Sequence, residues 1–89
     1  MADLKTLTNI GLKISAKIEA IGIHTAEDFL ARDPYKVFDE LVEKVDPSLC
    51  RCALASIIGA HADVPWHKIT KQTAAEYQKR HPEHVWGKC

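Results

Sequence analysis

The four residues Thr8-Asn9-Ile10-Gly11 limit what this chain can fold into more than any other stretch. A short apolar turn of helix, Asp3 to Leu7, runs into them, and an amphipathic segment beginning at Leu12 follows at once. Gly reaches positive φ without steric cost, and Asn is the non-glycine residue that best tolerates it. Asn9 and Gly11 therefore permit a tight hairpin between two helical arms, with Ile10 as the apolar plug. A β-branched residue at Gly11 is expected to strain that hairpin. The amides after Gly11 open the next helix, and four N–H groups at a helix start lack intrahelical partners while the helix dipole favours an anion there. Asn9, Ile10, Gly11 and Leu12, with Lys13 and Lys17 four residues apart on one face, form a candidate phosphate site. The alternative reading is a tight helix–helix turn with no ligand, as small helical proteins commonly use.

The remaining chain reads as a series of capped helices. Ile14, Ile18 and Ile21 fall at helical spacing, with Lys13, Lys17 and Ala20 opposite, and Gly22 ends that helix as a left-handed cap with Ile23 folding back. Thr25 caps a third helix, since Thr-Ala-Glu-Asp places an acid three residues after the cap; Phe29 and Leu30 are its expected core residues. Asp33-Pro34 starts the next one, whose apolar face is Tyr35, Phe38, Leu41, Val42 and Val45. Asp46-Pro47 repeats the device. The helix expected after it, Ser48 to Ala62, is apolar nearly all round except for Arg51 and His61, the mark of a buried central helix. Val64-Pro65-Trp66 breaks it, with Trp66 a natural lid over the bundle's end. A last helix is expected over about Thr70 to Arg80, ended by His81-Pro82, with Ala74, Ala75 and Tyr77 on its apolar side. The resulting organisation is one helical domain over residues 1–81 and a C-terminal tail over 82–89, docked through Trp86 or free.

Composition sets the class. The 89 residues are 46% hydrophobic and 27% charged, as in an ordinary globular domain. No apolar run nears the roughly 20 residues that span a bilayer, so no membrane is implied. Met1 to Gly11 has no signal-peptide core, and the expected address is the cytoplasm. Net charge is zero, whereas dedicated non-specific DNA binders carry a basic excess. Charge is uneven, however: residues 65–89 hold Lys68, Lys71, Lys79, Arg80 and Lys88 against Glu76 and Glu83.

Cys50 and Cys52 suggest a metal, yet on a helix their sulfurs point about 200° apart, and the five histidines and Cys89 show no ligand spacing to complete a zinc site. Buried small hydrophobes are the preferred reading for Cys50 and Cys52, and a free exposed thiol for Cys89. No glycine-rich phosphate loop, nucleophile elbow or carboxylate pair is present. Cys50 and His61 stand about 16 Å apart along one helix, too far for a dyad. No catalytic residue, metal or cofactor is expected. His61 reads as a satisfied polar group at the end of the central helix. Trp66 with His67 and Lys68 reads as a base-stacking platform or, preferably, as a Trp packed on the core.

The stretch TNIGLKISAKIEAIGI resembles the helix-hairpin-helix motif, with Thr8-Asn9 standing where the usual pattern has Pro-Gly. Its continuation IHTAEDFLARDPYKVFDEL is similar to the second half of such domains. Over about residues 4–66 the chain resembles the branch that holds the clostridial pathogenicity-locus protein, the C-terminal domain of the competence regulator TfoX and proteins labelled mitomycin resistance. The resemblance implies an all-α, SAM-like fold, a single compact bundle of five to six short helices built around a helix-hairpin-helix unit at residues 4–22. It also implies a non-catalytic binding module. Its expected partner is double-stranded DNA, held weakly and without sequence preference; the alternative partner is another protein, on a fold that has lost the DNA contact.

Overall fold

The computed structural model describes residues 3–87; Met1, Ala2, Lys88 and Cys89 lie outside it, and with them the expectation of a free Cys89 thiol. Five α-helices and two 3-10 turns make up the described residues, with no strand among them, so the chain is all-α. A 3-10 turn over Leu4–Thr6 is followed by α1 (Leu12–Ala20), α2 (Ala26–Leu30), α3 (Pro34–Lys44), α4 (Arg51–Ala62), a second 3-10 turn (Trp66–Lys68) and α5 (Thr70–Arg80). None is long and apolar enough to cross a membrane.

Local chemistry sets most boundaries. After α1, the Gly22 N–H donates to Glu19 O (3.0 Å) and the Ile23 N–H to Ile18 O (3.4 Å), the paired bonds of a Schellman end. Gly22 occupies the left-handed region there, at φ +92°. Thr25 Oγ1 accepts from the Asp28 N–H (3.1 Å) to cap α2, and Asp33 Oδ1 from the Tyr35 N–H (3.0 Å) to cap α3, with Pro34 in its first turn. α4 ends on Asp63 in the left-handed region (φ 59°), with the Val64 N–H returning to Gly59 O.

α4 is the axis of the bundle and packs on α3, α5 and the second 3-10 turn. Ala53, Leu54, Ala55, Ser56, Ile57, Gly59 and Ala60 are all buried along it. Around them Leu4, Ile10, Ile18, Ile23, Phe29, Val37, Phe38, Leu41 and Tyr77 close one core. Residues 81–87 lie against this body. The Trp86 indole N–H donates to Gln78 Oε1 (2.8 Å), and the Gly87 N–H to Leu49 O (3.1 Å).

Several sequence expectations need correction. Asp46-Pro47 opens no helix. Asp46 Oδ1 accepts from the Ser48 N–H (2.9 Å) and hydroxyl (2.5 Å), and Leu49 O is occupied by Gly87, so the segment stays a turn and α4 starts at Arg51 with Cys50 as its cap. Leu30 is 44% exposed, and Trp66 is 39% exposed rather than a lid. Ala75 faces solvent. Val37, which the periodic reading passed over, is buried.

Candidate nucleic-acid interface

The hairpin turn is built from one left-handed residue, and it is Asn9 (φ 69°). Gly11 is extended (φ −102°, ψ −171°), and a Cβ there would meet nothing within 4 Å. The expectation that Gly11 sustains strain is therefore overturned: any residue can adopt its backbone. Ile10 is buried beneath the turn as the plug. The Ile10 N–H donates to Leu7 O (3.3 Å), which closes the turn.

Gly11 stands at the α1 N-cap, where no side chain accepts a hydrogen bond. The first intrahelical bond runs from the Ser15 N–H to Gly11 O (3.0 Å). The N–H groups of Leu12, Lys13 and Ile14 have no partner among the described residues. The mouth is open: Gly11, Leu12 and Lys13 are all exposed, and Leu12 keeps 74% of its surface accessible. Such an end presents three donors and a partial positive charge to an anion.

The two lysines part company. Lys13 is exposed and without an ion-pair partner among the described residues. Lys17 Nζ lies 2.9 Å from Asp46 Oδ2, in a half-buried pair that ties α1 to the α3–α4 turn. The hydrogen bond from the Ser48 hydroxyl, then that from Lys17, hold the Asp46 carboxyl at about 2, below its ordinary 3.8. Lys17 is thus engaged within the fold, and of the pair only Lys13 offers a free ammonium at the mouth.

Sequence reasoning missed what Thr8 and Asn9 do. The Thr8 hydroxyl donates to Asp63 Oδ1 (2.5 Å). Asn9 Nδ2 donates to Val64 O (2.8 Å), and Asn9 Oδ1 accepts from the Trp66 N–H (3.3 Å). The turn is thereby clamped onto the α4–α5 connection, 55 to 57 residues further along the chain. Gly59 leaves room for the clamp: a Cβ there would lie 2.5 Å from Asn9 Nδ2 and closer still to Val64 O. The one sequence signal for this was a glycine inside a helix otherwise rich in good helix formers.

The clamp sets the Trp66–Lys68 turn beside the hairpin, with Trp66, His67 and Lys68 all exposed. Elsewhere, His61 Nε2 sits 3.0 Å from Leu30 O and edge-on to Phe29, a satisfied polar group as expected. Cys50 packs against the core and Cys52 is half-buried. No group of three or more metal-ligating side chains occurs among the described residues.

A family model, the TfoX C-terminal domain, matches residues 1–80. The chain belongs to that family. Among solved structures, the crystal structure of an uncharacterized protein from Listeria monocytogenes superposes with a TM-score of 0.78 at 24% identity, covering 94% of this chain and 99% of that one. That likeness is one of fold. No curated protein matches the chain.

Proposed function

We propose that this TfoX C-terminal domain is a non-catalytic module that contacts the phosphate backbone of double-stranded DNA without reading bases. One observation carries the reading: the unpartnered N–H groups of Leu12, Lys13 and Ile14 at an open helix start, beside the free Lys13 ammonium. Contacts of this kind position a protein on DNA without conferring sequence preference. With Lys17 engaged by Asp46, about one phosphate is neutralised, so log K should fall with log salt at a slope of only about −1.

Fluorescence anisotropy with a labelled duplex at about 20 mM and 150 mM salt tests this, since screening grows steeply over that range. Weak binding is expected at the lower salt, reduced strongly by Lys13→Glu and unchanged by Lys44→Glu on α3. Lys17→Glu is a poor probe, because it places a second carboxylate against Asp46 and acts on stability. Absence of binding at low salt, or equal loss in Lys13→Glu and Lys44→Glu, removes the phosphate reading. The 74% exposure of Leu12 at the same mouth supports the second reading, a protein-interaction module, which would then stand first.

A further inference from the structure

The strap formed by residues 81–87 is built around histidines. The His84 ring lies against Tyr77 (centroids 4.9 Å apart), Trp86 (4.6 Å) and Phe38 (6.4 Å). Its Nε2 is buried and has no hydrogen-bond partner among the described residues. Gln78 fixes the strap's backbone, its two Nε2 hydrogens shared among His81 O (3.0 Å), Pro82 O (3.1 Å) and His84 O (3.2 Å). Its Oε1 receives the Trp86 indole N–H. His81 Nε2 sits 3.1 Å from Asp39 Oδ1, joining the strap to α3 through a half-buried pair.

From this geometry we propose that residues 81–87 form a pH-gated strap, docked while His84 is neutral and released from Phe38 and Tyr77 when His84 takes a proton.

A proton on His84 puts a full charge into an aromatic nest in which Nε2 finds no acceptor, and burying a charge without a partner is costly. The groups that face it do not relieve this. On α5, the Tyr77 hydroxyl is held neutral: burial pushes its pKa up, and the hydrogen bond to Asp39 and that carboxylate's charge add to the rise. On α3, Asp39 favours the cation but is already engaged by His81. Within the strap, His81 opposes a second positive charge, and Trp86 carries the Arg51 guanidinium of α4 5.5 Å from its ring centroid. Arg80 and Glu83 border the open cavity beside His81 and His84. Burial first, then His81, lower the His84 pKa, and Asp39 only partly offsets them. A histidine whose pKa is depressed in the docked state favours docking above its free value, about 6.5, and that preference is lost as pH falls towards the docked value. The half-buried His81–Asp39 contact works in the opposite direction, so the strap opens where the cost at His84 exceeds it.

The test is hydrogen exchange by NMR on the full chain between pH 7.5 and 5, with protection corrected for intrinsic exchange. Protection of the Trp86 indole N–H and the Gly87 N–H should fall by up to about tenfold per pH unit below about 6.5, while the Ile57 N–H in α4 keeps its protection. His84→Phe should hold the strap's protection level across the range. In the parent, the His84 ring itself should titrate below about 6.5, a readout independent of any variant's folding. Strap protection that does not change with pH, an equal fall in His84→Phe, a parallel fall at Ile57, or a His84 midpoint at or above that of a free histidine would each overturn the proposal.

Discussion

Gly59→Ala tests whether the hairpin is held from outside itself. Intrinsic propensity alone favours this change, since alanine inside a helix is better than glycine by about 1 kcal/mol. The structure argues for the opposite sign. The new Cβ would sit 2.5 Å from Asn9 Nδ2 and nearer still to the Val64 carbonyl oxygen, with Ile69 Cδ1 at 3.5 Å. The carbonyl is backbone, tied by the αL residue Asp63 and the bond from the Val64 N–H to Gly59 O, so the clamp must give way. Two hydrogen bonds through Asn9 are then broken or stretched, at about 1 kcal/mol each. Overpacking of a close contact adds about 1–3 kcal/mol. Net of the propensity gain, Gly59→Ala should destabilise by about 2–4 kcal/mol. For a domain of this size that lowers the melting temperature by roughly 10–25 °C, easily followed by circular dichroism. Gly11→Val is the internal control: its backbone is extended and its Cβ position is open, so the loss should stay within about 1 kcal/mol, the scale of a changed N-cap. Asn9→Ala together with Gly59→Ala should cost less than the sum of the two single changes, because each removes the same contact. A Gly59→Ala protein as stable as the parent, or a Gly11→Val protein that loses more, would refute the clamp.

Asp46 should titrate near 2 when followed by carboxyl-carbon NMR. Because its folded pKa is depressed, its contribution to stability is present above 3.8 and is lost as pH falls through about 2; Ser48→Ala should raise the midpoint more than Lys17→Met, and a midpoint unmoved by both would discard the assigned contacts. Asp63→Gly should be nearly neutral, since relief of the left-handed backbone, about 1 kcal/mol, offsets the lost Thr8 bond of similar size. Asp63→Ala loses the bond and keeps the strain, so it should cost about 1–2 kcal/mol in urea denaturation; equal stabilities for the two variants would contradict that accounting.

How legible the fold was depends on the range over which each signal acts. The caps at Thr25, Asp33 and Gly22 are local devices, satisfied within two to five residues, and each was readable from its own neighbourhood. α5 has the expected bounds, Thr70–Arg80, because His81 precedes Pro82 and is biased away from the helical region. Asp46-Pro47 carries the same two letters as Asp33-Pro34 and does something else. The difference lies in partners remote in sequence: Lys17 on the carboxylate and Gly87 on the following carbonyl. Leu30 and Trp66 were expected inside because they are large and apolar, but a five-residue helix and a three-residue turn each bury only one side. The candidate site divides along the same line. The free amides after Gly11 follow from the start of any helix, whereas the loss of Lys17 to Asp46 and the use of Thr8 and Asn9 as a clamp require the tertiary structure.

Ion pairs, local and long-range, also explain how a chain of zero net charge can be locally uneven. Arg32 pairs with Glu40, Arg80 with Glu76 and Lys17 with Asp46, so a share of the cations is neutralised where it stands. Lys13 and Lys68 have no ion-pair partner among the described residues. They stand 55 residues apart in the sequence, one just after the hairpin and one in the second 3-10 turn. The link between their segments is the Asn9 side chain, which holds both Val64 and Trp66. Pro-Gly in place of Thr8-Asn9 would close the hairpin but could offer neither the Thr8 hydroxyl nor the Asn9 amide to residues 63–66. Thr8 and Asn9 thus supply three hydrogen bonds to residues 63–66 that Pro-Gly lacks the side chains to make. This clamp leaves the backbone donors at Leu12 to Ile14 untouched, and it fixes the second exposed basic turn beside them.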